Sequence, residues 1–420
     1  MKLFKSHIYL ALFTVFSLFI TSCQDNNDPE LLFEDTPTAR TKQAIQKLRT
    51  ALKSSENGWK VTYFTDDELL GGYTFLFNFI SDEEVKMHSD FGNPDPNKLS
   101  LYDITLGSTI KLSFTTKNVL HELADGDNYP DNDLVGRGYK GDFEFLLSSY
   151  DGDDIIFRVN RDASNYLRFK KATAADWTDI EKHKTIRESF PTNHMAYKIG
   201  DKVSNFSFNP LRWFASNTDN NGTAGFGVGF TSTGVVISPA IDVNGTKYSE
   251  FTLSDDKTQL VSLDGNFTIF FLKLPFNINQ EWWSNAASTT KSSPAVNTAH
   301  ATAKTANTAT WGETLSNWAR FGNLASGRKG FSLFSFTGPG RGFTAQYNVA
   351  FQGVFGEPTQ IDIVRVSEGF NWRFYRHLNP LLDLYIDNAP YTTEPTPAAS
   401  PTEVKLTSTK DPNVWFIMEL

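Results

Sequence analysis

From Trp59 onward the chain alternates. Trp59, Val61 and Tyr63 are separated by Lys60 and Thr62, and Tyr73, Phe75, Phe77 and Phe79 by Thr74, Leu76 and Asn78. A period of two sends successive side chains to opposite faces of a strand, so one face of each segment is aimed at a core. Residues 85–88 continue the pattern and residues 110–114 supply another strand. Residues 143–147 and 155–159 flank Tyr150-Asp151-Gly152-Asp153-Asp154, a hairpin-turn signal. Residues 166–170 close this first block of about seven short strands, which predicts a meandering barrel or sandwich.

Two segments switch to helical spacing. Thr36-Pro37 places an N-cap before a proline at the first helical position. Ala44, Ile45, Leu48, Ala51 and Leu52 then share one face, opposite Lys42, Lys47, Arg49 and Lys53, until Asn57-Gly58 stops the helix. Farther on, Thr173 with Asp176 forms a capping pair, and Trp177, Ile180, Lys184 and Arg187 follow on a half-apolar face ended by Phe190-Pro191.

Strand patterning resumes after Met195. Gly225-Phe226-Gly227-Val228-Gly229-Phe230 is a glycine-alternating strand, Val243-Asn244-Gly245-Thr246 carries a hairpin signal, and residues 267–272 are a continuous apolar run. Residues 284–310, rich in Ala, Thr, Ser and Asn, read as a linker, exposed loop or weakly helical insert. Trp311, Leu315 and Trp318 recur at helical spacing and predict a short helix ended by Phe321-Gly322. Strands return at residues 331–336, 343–351 and 361–366, a Pro/Thr-rich loop spans 390–401, and residues 414–420 form a last strand. Gly71-Gly72 and the stretch 225–230 occupy similar places in the two halves. The pattern therefore predicts a mainly β protein with two antiparallel lobes, barrel- or sandwich-like, an N-terminal amphipathic helix and a connecting helix. The first lobe spans 36–172, the connecting helix 173–195, and the second lobe 196–420 with the polar insert 284–310.

Residues 1–22 do not belong to either lobe. Lys2 and Lys5 precede an apolar run from Ile8 to Ile20, too short to span a membrane, and Thr21-Ser22 lead into Cys23, the only cysteine. This layout resembles a bacterial lipobox, so Cys23 is the expected lipidation site and the mature chain is expected on the outer membrane, at the cell surface. Residues 24–35 hold five acidic residues and no base, a solvated tether for residues 23–35 that is also similar to an acidic surface-export signal. With its one thiol lipidated, the chain has no disulfide and must rest on its core, which 36 Phe and nine Trp supply. The formal net charge of −9, with no basic run, argues against nucleic acid as a partner.

Several stretches in this order resemble domain-of-unknown-function family 4302, uncharacterised lipoproteins of Bacteroidota. They are Asn57-Gly58-Trp59, Gly71-Gly72-Tyr73, Phe77-Asn78-Phe79, Ser100-Leu101-Tyr102-Asp103-Ile104, Leu112-Ser113-Phe114 through Leu120-His121, Gly138-Tyr139-Lys140-Gly141-Asp142-Phe143-Glu144-Phe145, Thr233-Gly234-Val235 and Val243-Asn244-Gly245. The resemblance implies an outer-membrane accessory role beside SusD-like lipoproteins and TonB-dependent transporters. It brings no catalytic residues.

Catalytic patterns are thin. His121-Glu122-Leu123-Ala124-Asp125 lacks the second histidine of a zinc-protease helix and is read in strand-turn context. No Gly-x-Ser-x-Gly occurs, and Gly338-Pro339-Gly340-Arg341-Gly342 lacks the Lys-Ser/Thr of a phosphate loop. The residues therefore name no catalytic group and no required cofactor. Asp125, Asp127, Asp131 and Asp133 alternate in a way that suits calcium, but Tyr129 and Pro130 stand where a calcium loop needs a ligand and a glycine. A solvated acidic loop is the competing reading. Trp282, Trp283 and Trp213 are the candidate ligand-contact aromatics, with core packing as the alternative for each. The expected function is a non-catalytic accessory binding or scaffolding component of a glycan or peptide uptake system. A hydrolase with dispersed carboxylates and an adhesin are the alternatives, so enzymatic activity is left open.

Overall fold

The computed structural model describes residues 36–420 except 96, 220–224, 325–326, 328 and 339. The signal segment, Cys23 and the acidic tether lie outside the described residues. The protein is mainly β, and its strands close into three antiparallel barrels of eight. The first contains β1 (Trp59–Phe64), β2 (Gly72–Phe79), β3 (Glu84–Ser89), β4 (Leu99–Leu106), β5 (Ile110–Phe114), β6 (Glu144–Asp151), β7 (Asp154–Val159) and β8 (Tyr166–Lys171). The second contains β9 (His194–Ile199), β10 (Lys202–Asn209), β11 (Phe214–Asn217), β12 (Phe226–Phe230), β13 (Gly234–Val243), β14 (Thr246–Leu253), β15 (Gln259–Ser262) and β16 (Thr268–Leu272). The third contains β17 (Glu281–Asn285), β18 (Thr314–Asn323), β19 (Lys329–Gly338), β20 (Arg341–Val354), β21 (Glu357–Glu368), β22 (Tyr391–Thr396), β23 (Glu403–Ser408) and β24 (Trp415–Glu419).

Of the two forms expected for the first block, barrel or sandwich, the barrel is present. Beyond the connecting helix, however, the chain makes two barrels where the sequence reading has one lobe. The reason is closure: β16 returns to pair with β9, which completes the second barrel at Leu272 and leaves β17–β24 to close on themselves. Three separate clusters of buried apolar side chains fill the interiors.

Helices pack against the barrels. α1 (Pro37–Lys53) starts where Thr36 accepts from Ala39 N and buries Leu48 and Leu52 in the first core. α2 (Val119–Ala124) adds Val119, Leu120 and Leu123 to that core and places His121 on a helix rather than in the expected strand-turn context. α3 (Ala174–Ser189), the connecting helix, carries the expected Thr173–Asp176 capping box. α4 (Pro294–Trp311) replaces most of the polar insert. Its small residues let it lie close to the third barrel, where Val296 and Ala303 are buried. The helix expected over 311–321 is instead strand β18, because the apolar Leu315, Ala319 and Phe321 all point into the core. α5 (Asn379–Asp387) completes that core with Leu381, Leu382 and Tyr385.

The two glycine stretches that look equivalent in sequence are in contact. A Cβ on Gly71 would lie 2.4 Å from the Val228 carbonyl oxygen, and one on Gly227 would lie 2.3 Å from that of Leu70. Glycine is required there because two barrel walls meet backbone to backbone. The same seam holds a buried charge cluster. The Asp90 carboxylate accepts from Thr74 N at 2.9 Å and lies 3.2 Å from His183 Nδ1 and 3.4 Å from Arg187 Nη2. The Arg187 guanidinium lies 5.4 Å from the Tyr73 ring centre and 5.1 Å from that of Phe230. One arginine on α3 thereby ties the first barrel to the second.

Candidate ligand-binding groove

The three sequence-nominated tryptophans divide. Trp282 is 0% exposed, and its indole N–H donates to the Asn277 carbonyl at 3.1 Å. Trp213 is half-buried at the seam between the first two barrels, 4.9 Å and near-perpendicular to Phe230. Trp282 has no face open to a ligand, and Trp213 packs between the first two cores. Trp283, the next residue along β17, alternates outward and is 37% exposed.

Its partner is one the sequence reading missed. Trp318, also 37% exposed, stands 6.4 Å from Trp283 with the rings at 80°. A register shift in β18 between Leu315 and Ala319 marks an irregularity that brings Trp318 to the surface. Together with Glu419 and Leu420 the two indoles line an open groove of about 430 Å³. The groove sits where the third barrel closes, since Trp283 pairs with Glu419 of the last strand.

Charged groups frame the rings, and each is already engaged. Arg320, the register partner of Trp283, lies 5.1 Å over its ring and donates to Glu281 Oε1 at 3.1 Å and Thr344 Oγ1 at 3.4 Å. Lys291 donates to Glu419 at 2.9 Å and Glu403 at 2.6 Å, and those two carboxylates hold its ammonium above the usual lysine range. One strand further, Phe334 and Phe336 stand outward 6.4 Å apart. The alternation that shows Ala319 and Phe321 inward also marks Trp318 and Arg320 as outward, and that signal was present in the sequence. The arrangement offers stacking surfaces and side-chain hydrogen bonds.

The acidic loop has other work. Arg212 donates to both Asp131 carboxylate oxygens, at 2.5 and 2.9 Å, and to Asp133 at 2.8 Å, which pulls the Asp131 carboxyl below its usual range. Asp125 accepts from the backbone of Asp127. The loop is thus a strap from the first barrel to the second, and among the described residues no group of three or more His, Cys, Asp or Glu is placed to hold a metal. A second concavity of about 440 Å³ lies at that seam, lined by Asp66, Asp67, Glu68, Asp162, Asn165 and neighbours. Lys140 pairs with Asp66, and Ser238 donates to Asp67 at 3.1 Å.

Residues 29–255, just over half of the chain, match the family described as Domain of unknown function (DUF4302). The chain belongs to the DUF4302 family. The match covers the first barrel and the second through β14, so the groove of this DUF4302 protein lies beyond it, in the third barrel. No curated protein matches the chain significantly. Among solved structures, the chain is similar to the DNA polymerase III beta chain of Streptococcus pneumoniae TIGR4 at 10% identity, covering 89% of this chain and 97% of that one, with a TM-score of 0.13. It is also similar to intact Ap-TbpB (N and C lobes) at 10% identity, covering 86% of this chain and 74% of that one, with a TM-score of 0.11. Among the described residues, no helix is long and apolar enough to cross a membrane.

Proposed function

We propose that this DUF4302 protein is a lipid-anchored binding component of the outer-membrane surface in a member of the Bacteroidota. It takes up a glycan or peptide at the Trp283–Trp318 groove and presents it to an uptake system with a TonB-dependent transporter and a SusD-like lipoprotein. The observation that carries this reading is the exposed, near-perpendicular indole pair, which burial does not require and which stacking on a ligand would explain. The lipobox ending at Cys23 and the acidic segment behind it supply the address.

The test is a mild-detergent pull-down of the full-length protein from its native outer membrane, with Cys23→Ala as control. A transporter recovered with the wild-type protein and lost with the control supports the reading. Membrane association that survives Cys23→Ala would remove the anchor from it.

A further inference from the structure

We infer that the ligand of this groove is an uncharged polysaccharide chain, bound across β17, β18 and β19 by Trp283, Trp318 and Phe334. The inference rests on the groove being a capture site and adds the chemical class of what it captures.

Three observations lead there. The first concerns peptides. Among the described residues all three sheets close on themselves, the third through the Trp283–Glu419 pair at the groove, so an extended peptide finds little strand edge to lengthen. Recognition at this face must run through side chains and ring faces. A sugar ring suits that: it has a flat C–H face for an indole and hydroxyls around its rim for polar side chains.

The second is charge. A uronate or sulfate needs a cation whose charge is not already matched by a carboxylate. The charge of Arg320 is matched by Glu281 and that of Lys291 by Glu403 and Glu419. The chain as a whole carries a formal charge of −9, which repels polyanions. An uncharged ligand meets neither obstacle.

The third is extent. The register runs Trp283–Arg320–Ser332–Gln346 in one row, while Trp318 faces outward next to Arg320 and Phe334 next to Ser332. Strands lie about 4.8 Å apart, so rings on three successive strands span roughly 10 Å, a length for a chain of sugars rather than one. The perpendicular indoles make a corner in which one ring stacks and the other meets its edge. On the same outward face Ser332 Oγ is buried and has no hydrogen-bond partner among the described residues.

The experiment is isothermal titration of the full-length protein in mild detergent against a soluble β-glucan, a mannan, polygalacturonate, heparin and a casein digest, each at low and high salt. Trp283→Ala, Trp318→Ala and the milder Trp318→Phe are titrated alongside, with thermal melts to confirm folding. The expected result is salt-insensitive binding of at least one neutral polysaccharide, weakened tenfold or more by either alanine variant and less by Trp318→Phe. Tryptophan-dependent binding of the peptides or polyanions instead overturns the ligand class and leaves the capture site standing. Binding that ignores both tryptophans, or no binding by any class, overturns the groove and the capture reading together.

Discussion

In the first barrel Phe75, Phe77 and Phe79 line one strand, with ring centres 6.1 and 6.3 Å apart, and all three are buried. In the third, Phe334 and Phe336 repeat that spacing on β19 at 6.4 Å and face solvent. The interiors account for the difference. The first barrel needs its phenylalanine row to fill the space between its walls. The third is filled by Trp282, Trp372 and Tyr385 and by α4 and α5, so β19 sends Phe331 and Leu333 inward and its other phenylalanines are surplus to the core. Every exposed Trp or Phe among the described residues belongs to the third barrel or to the helical segments packed on it. An aromatic that burial does not require, repeated on one face, marks a surface that has a use.

That contrast can be broken most directly by truncation. Phe77→Ala or Trp282→Ala should cost about 3–5 kcal/mol by denaturant unfolding, because each leaves a cavity in a packed core. Trp283→Ala or Phe334→Ala should stay within about 1 kcal/mol. Comparable losses for the two sets would erase the distinction between core and surface rows. A sharper version uses charge. Asp90→Ala, which strands Arg187 inside the seam, should destabilise by about 3 kcal/mol. Arg320→Met at the half-exposed groove should lose less than about 1 kcal/mol.

Next in size is the contact between barrels. Gly227→Ala places a methyl against the Leu70 carbonyl oxygen, with an expected loss of about 1–3 kcal/mol and faster proteolysis between the first two barrels. The third barrel's own unfolding transition should not move. A comparable effect is acid sensitivity. Burial lowers His88, His121, His300 and His377, and lowers His194 to about 4 with help from the Lys329 charge. The unfolded chain therefore binds protons below about pH 6.5 that the folded chain refuses, so stability is full above that pH and falls toward pH 4. His194→Asn should flatten the fall by roughly 2 kcal/mol in melts run from pH 7 to pH 4. Equal slopes in variant and wild type would count against it.

Most strands were legible because alternation is local, and the same is true of the Thr36 and Thr173 helix starts. The candidate site was half legible. Trp282 and Trp283 are neighbours on a strand, so one had to face in and the other out, but nothing local says which. Trp318 was hidden by a coincidence: Leu315 and Trp318 follow Trp311, the last residue of α4, at helical spacing, although both lie on strand β18. The acidic loop's tie to the second barrel was hidden for another reason. Its partner, Arg212, lies 81 residues from Asp131.

By itself the sequence determined most strands (not β18, read as helix, nor β22, Tyr391–Thr396, read as loop), the caps, the lone cysteine and its flanks, and a surplus of aromatics over what one core could hold. Each follows from a local rule of spacing, turn chemistry or composition. Tertiary structure alone decided that the chain closes three times rather than twice, and that Gly71 meets Gly227. It also chose Trp283 and Trp318 as the tryptophans that share a groove. Those outcomes depend on which strand returns to pair with which and on how full each interior already is, and both are set by residues far apart in the chain.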